Sequence, residues 1–298
     1  MICLSFPEKE RKMKKRFILL AFMLTFLLSL FSQPHFGFSV ERYSKLEISF
    51  SVSQYNSSST STYLSDYSPP FLNVAPSEYK SWGRQELNFQ RDKKWGYGAA
   101  VAFFPSPYFG IQVLGRYFLV PFGERSNSYK FHLEYHSIVY DKEMIMNTSG
   151  SLKEYYLGLN AIARIWLGRS ISLRIYGGGG YHFLKGEASG PGFSKFWLSE
   201  KFWIESETYQ LTWILDPEKK FGYNAGAELD VPFYQNLSFY AEFGYFFCPE
   251  TSFTLTYKED ASISVAQNIE LIKQYLPLKE LTVKPSFSAI NIGFKFKF

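Results

Sequence analysis

Apolar and polar residues alternate along much of this chain. The last stretch is the most regular: Ile290, Ile292, Phe294, Phe296 and Phe298 share one parity, and Asn291, Gly293, Lys295 and Lys297 the other. A period of two puts successive side chains on opposite faces of an extended strand. The same period recurs in seven earlier segments. Near Ser44 to Val52, Leu46, Ile48, Phe50 and Val52 oppose Glu47, Ser49 and Ser51. From Lys94 to Phe104, Trp95, Tyr97, Val101 and Phe103 alternate with Gly and Ala. After Pro105 to Pro107, Phe109, Ile111, Val113, Tyr117 and Leu119 oppose Gln112 and Arg116. From Lys153 to Leu167, Tyr155, Leu157, Leu159 and Ile165 oppose Tyr156, Asn160 and Arg164. From Ile171 to Phe183, Leu173, Ile175, Tyr181 and Phe183 oppose Arg174, Tyr176 and His182. From Phe221 to Val231, Tyr223, Ala227 and Leu229 oppose Asn224, Glu228 and Asp230. From Leu237 to Phe247, Phe239, Phe243 and Tyr245 oppose Ser238, Tyr240 and Glu242.

The connections between these segments sort into two kinds. Those at Pro105 to Pro107, Gly168 to Ser170 and Pro232 to Asn236 are a few residues long; the others are much longer. Transmembrane barrels have an even number of antiparallel strands, short periplasmic turns and longer external loops. A soluble sandwich has no reason to sort its loops this way. The reading is all-β: an eight-stranded antiparallel transmembrane β-barrel with four long external loops and both termini in the periplasm. Two stretches inside the long loops, 129–140 and 206–215, could add further strands.

The N-terminal end carries the signature of export. Lys14, Lys15 and Arg16 precede an apolar run from Phe17 to Phe31, and Ser32 and Gln33 follow. A basic segment before an apolar run of this length reads as a secretory signal peptide. A spanning helix needs about 20 apolar residues, and this run falls short. The expected division is a signal peptide over 1–36, with Met13 as an alternative start, and a barrel domain over 37–298. Cleavage is expected between Ser32 and Ser39. Cys3 would leave with the signal, and Cys248 alone gives no intrachain disulfide to the mature chain. Phe, Tyr and Trp make up 20% of the residues. The formal net charge is +5, and Lys9, Arg11, Lys12, Lys14, Lys15 and Arg16 against Glu8 and Glu10 supply +4 of it. The mature part is therefore near neutral, and no basic stripe argues for nucleic acid.

The polar parity carries charge of both signs: Glu47, Glu228, Asp230 and Glu242 against Arg116, Arg164, Arg174, Lys295 and Lys297. An eight-stranded barrel has room inside for side chains only. Charges there need partners, because desolvating a lone charge is costly. The expected arrangement is a plug of paired side chains; a charged conduit or gate is the competing reading. Glycines at 96, 98, 178, 180, 222, 226, 244 and 293 would make room for the long side chains. Gly177 to Gly180 suggests a bulge or sharp coiling of the wall. In the long loops, Trp197, Trp203 and Trp213 stand among many Phe and Tyr, and Val265, Ile269, Ile272 and Leu276 recur at helical spacing before Pro277. These aromatic loops either bind a surface ligand or pack on one another as a cap. His182, with Glu187 five residues on, and His132 with His136 are the only histidine arrangements of note, and neither forms a catalytic or metal motif. No cofactor, metal or catalytic set is expected.

The ending, with its alternating residues from Ile290 to Phe298 and a terminal Phe, resembles the C-terminal assembly signal of outer-membrane β-barrels. In strand number and loop order the mature chain resembles small eight-stranded outer-membrane barrels, the OmpA-like transmembrane domain and the OmpW-like group. The sequence leaves the oligomeric state open, with a monomer favoured; the resemblance implies a non-enzymatic barrel embedded in outer-membrane lipids and inserted by the barrel assembly machinery. It implies a structural role or a surface role for the external loops. It leaves a narrow conduit for small hydrophobic solutes as an alternative, and a lipid-modifying enzyme as a weaker one.

Overall fold

The computed structural model describes residues 44–298 apart from 57–59, 92–94, 124–125, 148, 168–169, 201–203, 257–269 and 277–279, and the described residues form fifteen strands. The expected signal peptide and its cleavage region, Trp203, Val265, Ile269 and Pro277 lie outside the described residues. Eight strands form a closed antiparallel ring: β1 (Leu46–Asn56), β5 (Trp95–Phe103), β6 (Phe109–Gly123), β9 (Ser149–Leu167), β10 (Ile171–Leu198), β11 (Ile204–Tyr234), β12 (Leu237–Phe247) and β15 (Phe287–Lys297). Each pairs with the next, and β15 returns to β1, with Glu47 opposite Lys297 and Phe50 opposite Phe294. Closure satisfies the backbone donors and acceptors of every strand, which an apolar solvent demands.

The pleat follows the alternation of the sequence. Phe50, Trp95, Tyr97, Ile111, Leu157, Leu159, Phe243 and Phe294 are exposed on the outer face. Their neighbours of opposite parity, among them Ser49, Gln112, Asn160 and Ser238, are buried. A polar inside and an apolar outside invert the order of a water-soluble domain, as a barrel in lipid requires.

Four ring strands outrun the membrane, β6 with 15 residues being the shortest of them. β9 has 19 residues, β10 28 and β11 31, against the about 9–11 that a tilted crossing needs. Most of the expected loop residues are therefore strand. Tyr209 to Leu215 belongs to β11 and pairs with β10 and with β13 (Thr251–Thr256). Phe131 to Tyr140 spans a hairpin of β7 (Ser126–Tyr135) and β8 (Ile138–Asn147), turned at His136 with φ 51°. The first long connection holds β2 (Thr60–Tyr67), β3 (Phe71–Leu72) and β4 (Tyr79–Arg91); β4 pairs with both β2 and β7. The fourth holds β13 and β14 (Glu280–Val283) and a helical turn at 270–275 that delivers Ile272 and Leu276 to the interior. None of these added strands enters the ring, so the count of eight stands.

The external strands enclose a second core. Trp213, Phe193, Phe196, Phe131 and Phe253 are fully buried there. Tyr129, Tyr67, Phe193 and Tyr209 stack in series, with ring centroids 6.0, 5.8 and 6.2 Å apart. The aromatic loop residues pack on one another as a cap.

Candidate functional site

The lumen is filled by layers of side chains that converge from opposite walls. The lowest layer, at the end carrying the termini, centres on Glu47. Arg164 Nη2 donates to its Oε1 at 2.6 Å, and Arg174 Nη1 donates to its Oε2 at 2.6 Å. Arg164 and Arg174 are directly opposed on β9 and β10, so two like charges share a rung, and Glu47 reaches them from β1. Arg174 Nη2 also donates to Asp230 Oδ2 at 2.8 Å, and Lys297 Nζ donates to the same oxygen at 2.7 Å. Lys295 Nζ donates to Glu228, which also lies 3.3 Å from Arg174 Nη1. The Arg164 guanidinium sits 3.6 Å above the ring of Phe104, a buried residue just past β5 that the sequence did not single out.

The middle layer is built round Glu242. Arg116 Nη2 and Asn291 Nδ2 donate to its Oε1 at 2.5 and 2.9 Å, and Tyr176 OH donates to the same oxygen. Arg116 Nη1 donates to Ser53 Oγ at 3.2 Å. Two glycines make the room: a Cβ at Gly226 or Gly244 would lie 2.3 or 2.5 Å from Tyr176 OH. Of the nine charged positions expected to face the lumen, all are buried except Lys297, which is half-buried.

Above these lie amides, then a pair that sequence reasoning missed. Asn160 Nδ2 donates to Gln112 Oε1 at 3.0 Å, and Tyr156 OH donates to Asn224 Oδ1 at 2.9 Å. His182 Nδ1 lies 2.6 Å from Glu154 Oε1, and both residues are fully buried. Glu187, the neighbour expected from spacing, is on the opposite parity of β10 and is not His182's partner. Glu154 shares the parity of Tyr156, Asn160 and Arg164; extending that alternation by one step would have found it. A buried aromatic layer closes the top, where Tyr55, Phe118, Phe246 and Phe287 meet at 4.5 to 5.1 Å between centroids. The inward parity here is aromatic, so hydropathy alone does not mark it as lumen.

The glycine run opens no gap in the wall. β10 pairs with β9 from Ile171 to Ser189 without a register shift, and with β11 from Ser172 to Leu184. The shifts in the β10–β11 ladder, at Leu184/Gly186 and Pro191/Phe193, lie above the run, so the expected bulge is displaced upward. A Cβ at Gly178 would fall 2.0 Å from Leu159 O, so the run serves close approach of backbones.

Outside the ring, Ile290, Ile292, Phe294, Phe296 and Phe298 are exposed on the lipid-facing surface. On the external hairpins His132 Nδ1 lies 2.6 Å from Asp141 Oδ1, and this hydrogen bond raises the His132 pKa above its ordinary value. His132 stacks on Trp82 at 5.7 Å, and no group of three His, Cys, Asp or Glu among the described residues is arranged to hold a metal.

A sequence model of the outer membrane protein β-barrel domain matches residues 23–298. The chain belongs to this family. Its eight ring strands cross the outer membrane, the long connections face outward and both termini are periplasmic. Solved structures it is similar to include OprG from Pseudomonas aeruginosa (10% identity, 86% of this chain and 97% of that one, TM-score 0.42). Others are Ail of Yersinia pestis (13%, 86% and 100%, 0.34) and Neisserial surface protein A (10%, 86% and 98%, 0.33). No curated protein matches the chain.

Proposed function

We propose that this outer-membrane barrel is a non-enzymatic, closed structural element that carries a rigid external platform for surface interaction. The observation that carries this reading is the continuous filling of the lumen, from the Glu47 cluster through Glu242 and His182 to the aromatic layer and the cap. A charged conduit would need an aqueous path, and buried ion pairs with stacked rings leave the polar groups facing one another. His182 is fully buried beneath the cap, out of reach of a lipid substrate. The platform offers apolar contact instead: Leu64, Trp82, Ile138, Val139 and Ile145 are exposed on the external strands.

Conductance tests the closure. The purified full chain in planar bilayers is expected to show no stable channels. Replacing Arg116 and Glu242 together with alanine is expected to leave it non-conducting as well, because the Glu47 layer and the aromatic layer remain. Large, steady channels in the unaltered protein would instead promote the transport reading.

We also propose that residues 1–36 are a signal peptide and that Ile290, Ile292, Phe294, Phe296 and Phe298 form the signal read by the barrel assembly machinery, the protein remaining monomeric. Phe298 lies beyond the last ladder pair, and its carbonyl accepts from the amides of Lys45 and Leu46 at 3.0 and 3.3 Å. Deleting Phe298 is expected to lower the amount of heat-modifiable barrel in outer membranes far more than Lys297→Ser does. Equal yields of the two variants would refute the assignment.

A further inference from the structure

Three lysines stand on the outer face of neighbouring strands, just above the lipid-facing apolar band. Lys153 on β9 is directly opposite Lys185 on β10, and Lys219 on β11 is opposite Phe183, two residues below Lys185. All three are exposed. Directly opposed side chains in an antiparallel pair have Cβ atoms about 4.5–5.5 Å apart, and like charges there repel. Among the described residues neither Lys153 nor Lys185 has an ion-pair partner. The Lys219 ammonium lies 3.8 Å from the Tyr181 ring and 5.8 Å from Phe183, so it is drawn down toward the membrane.

The surroundings say what kind of anion would relieve this repulsion. Directly below are Tyr155, Leu157, Tyr181, Phe221 and Tyr223, all exposed. Tyr155 lies 4.6 Å from Tyr117, and Tyr181 is edge-on to Phe221 at 5.5 Å. Aromatic girdles of this kind mark the boundary between acyl chains and headgroups. The lysines therefore sit at headgroup height on the external side. Above them, exposed Asp216, in the bulge of β11 beside Lys185, and half-buried Glu187 on β10 form a negative rim on the external side. That rim disfavours a soluble anion arriving from above and leaves the membrane side open. At the same end of the other ring strands the outward residues are Gln54, Trp95, Leu119, Phe247 and Ser288, none of them charged.

We propose that Lys153, Lys185 and Lys219 form a lateral binding site for the phosphate headgroup of an anionic lipid in the outer leaflet, with its acyl chains lying along the aromatic surface of β9 to β11. The site is external to the lumen and holds whether or not the barrel conducts.

Native mass spectrometry of the full chain, released from micelles doped with phosphatidic acid or with phosphatidylcholine, tests it. The unaltered protein is expected to retain phosphatidic acid and to release phosphatidylcholine. Each lysine near an anionic headgroup contributes about fivefold in affinity, so K153Q/K185Q/K219Q is expected to weaken retention roughly a hundredfold. The comparison variant K80Q/K130Q/K142Q removes the same charge from the external hairpins and is expected to retain the lipid as the unaltered protein does. Heat modifiability confirms that both variants are folded barrels. Equal loss in the two variants would reduce the effect to net charge and overturn the proposal. Retention of both lipids alike, or displacement of phosphatidic acid by millimolar inorganic phosphate, would also overturn it, the second by showing a site for soluble anions.

Discussion

Replacing Glu47 with alanine is expected to cost the folded barrel about 3–5 kcal/mol, the range for breaking a buried ion pair from one side. Glu47 accepts from Arg164 and Arg174, and these two arginines face each other across one rung of the sheet. The lower layer holds Glu47, Glu228 and Asp230 against Arg164, Arg174, Lys295 and Lys297. Removing Glu47 leaves two carboxylates for four cations, with the opposed arginines deprived of the group between them. Urea unfolding in lipid vesicles measures the loss. Removing Arg164 as well, as E47A/R164M, restores part of it, because methionine can lie against Phe104 where the guanidinium did. A loss under about 1 kcal/mol for the single variant would mean that water reaches this layer and screens the charges.

Replacing Trp213 with alanine is expected to cost a similar amount, about 3–5 kcal/mol, but in a different part of the molecule. Trp213 is fully buried in the external core, opposite Ala188 on β10 and Leu255 on β13. Its removal opens a cavity among Phe193, Phe253 and their neighbours, while the ring below keeps its hydrogen bonds. The expected result is a barrel that stays heat-modifiable yet is cut by trypsin in the external strands. Trp197→Ala serves as the contrast: Trp197 is only half-buried on the same strand pair, and its loss is expected to leave protease resistance nearly unchanged. Simultaneous collapse of ring and cap in the Trp213 variant would show that the two cores unfold as one unit.

The external strands explain why the sequence understated the β content. Within the membrane one face meets lipid and the other a polar lumen, so parity and hydropathy coincide, as they do from Ile290 to Phe298. Above it, β10 and β11 have an aromatic core on one side and water on the other. Phe193, Phe196 and Trp197 then fall on both parities, the alternation fades, and a continuing strand reads as loop. Tyr209 to Leu215 was legible as a possible strand; its pairing with β13 was not.

Parity by itself determined the eight ring strands, their order of short and long links, and which charges point inward, because each of those depends on the local two-residue period. It could not say that Glu47 meets Arg164 and Arg174 while Glu242 meets Arg116. Those partners are separated by more than a hundred residues in the chain, and which of them share a layer depends on the stagger accumulated around the closed ring. The pairing of His182 with Glu154 rather than Glu187, and the choice of Tyr176 to fill the space beside Gly226 and Gly244, were decided in the same way. A side chain's face is a property of its own strand; its partner across the lumen is set by the closure of all eight.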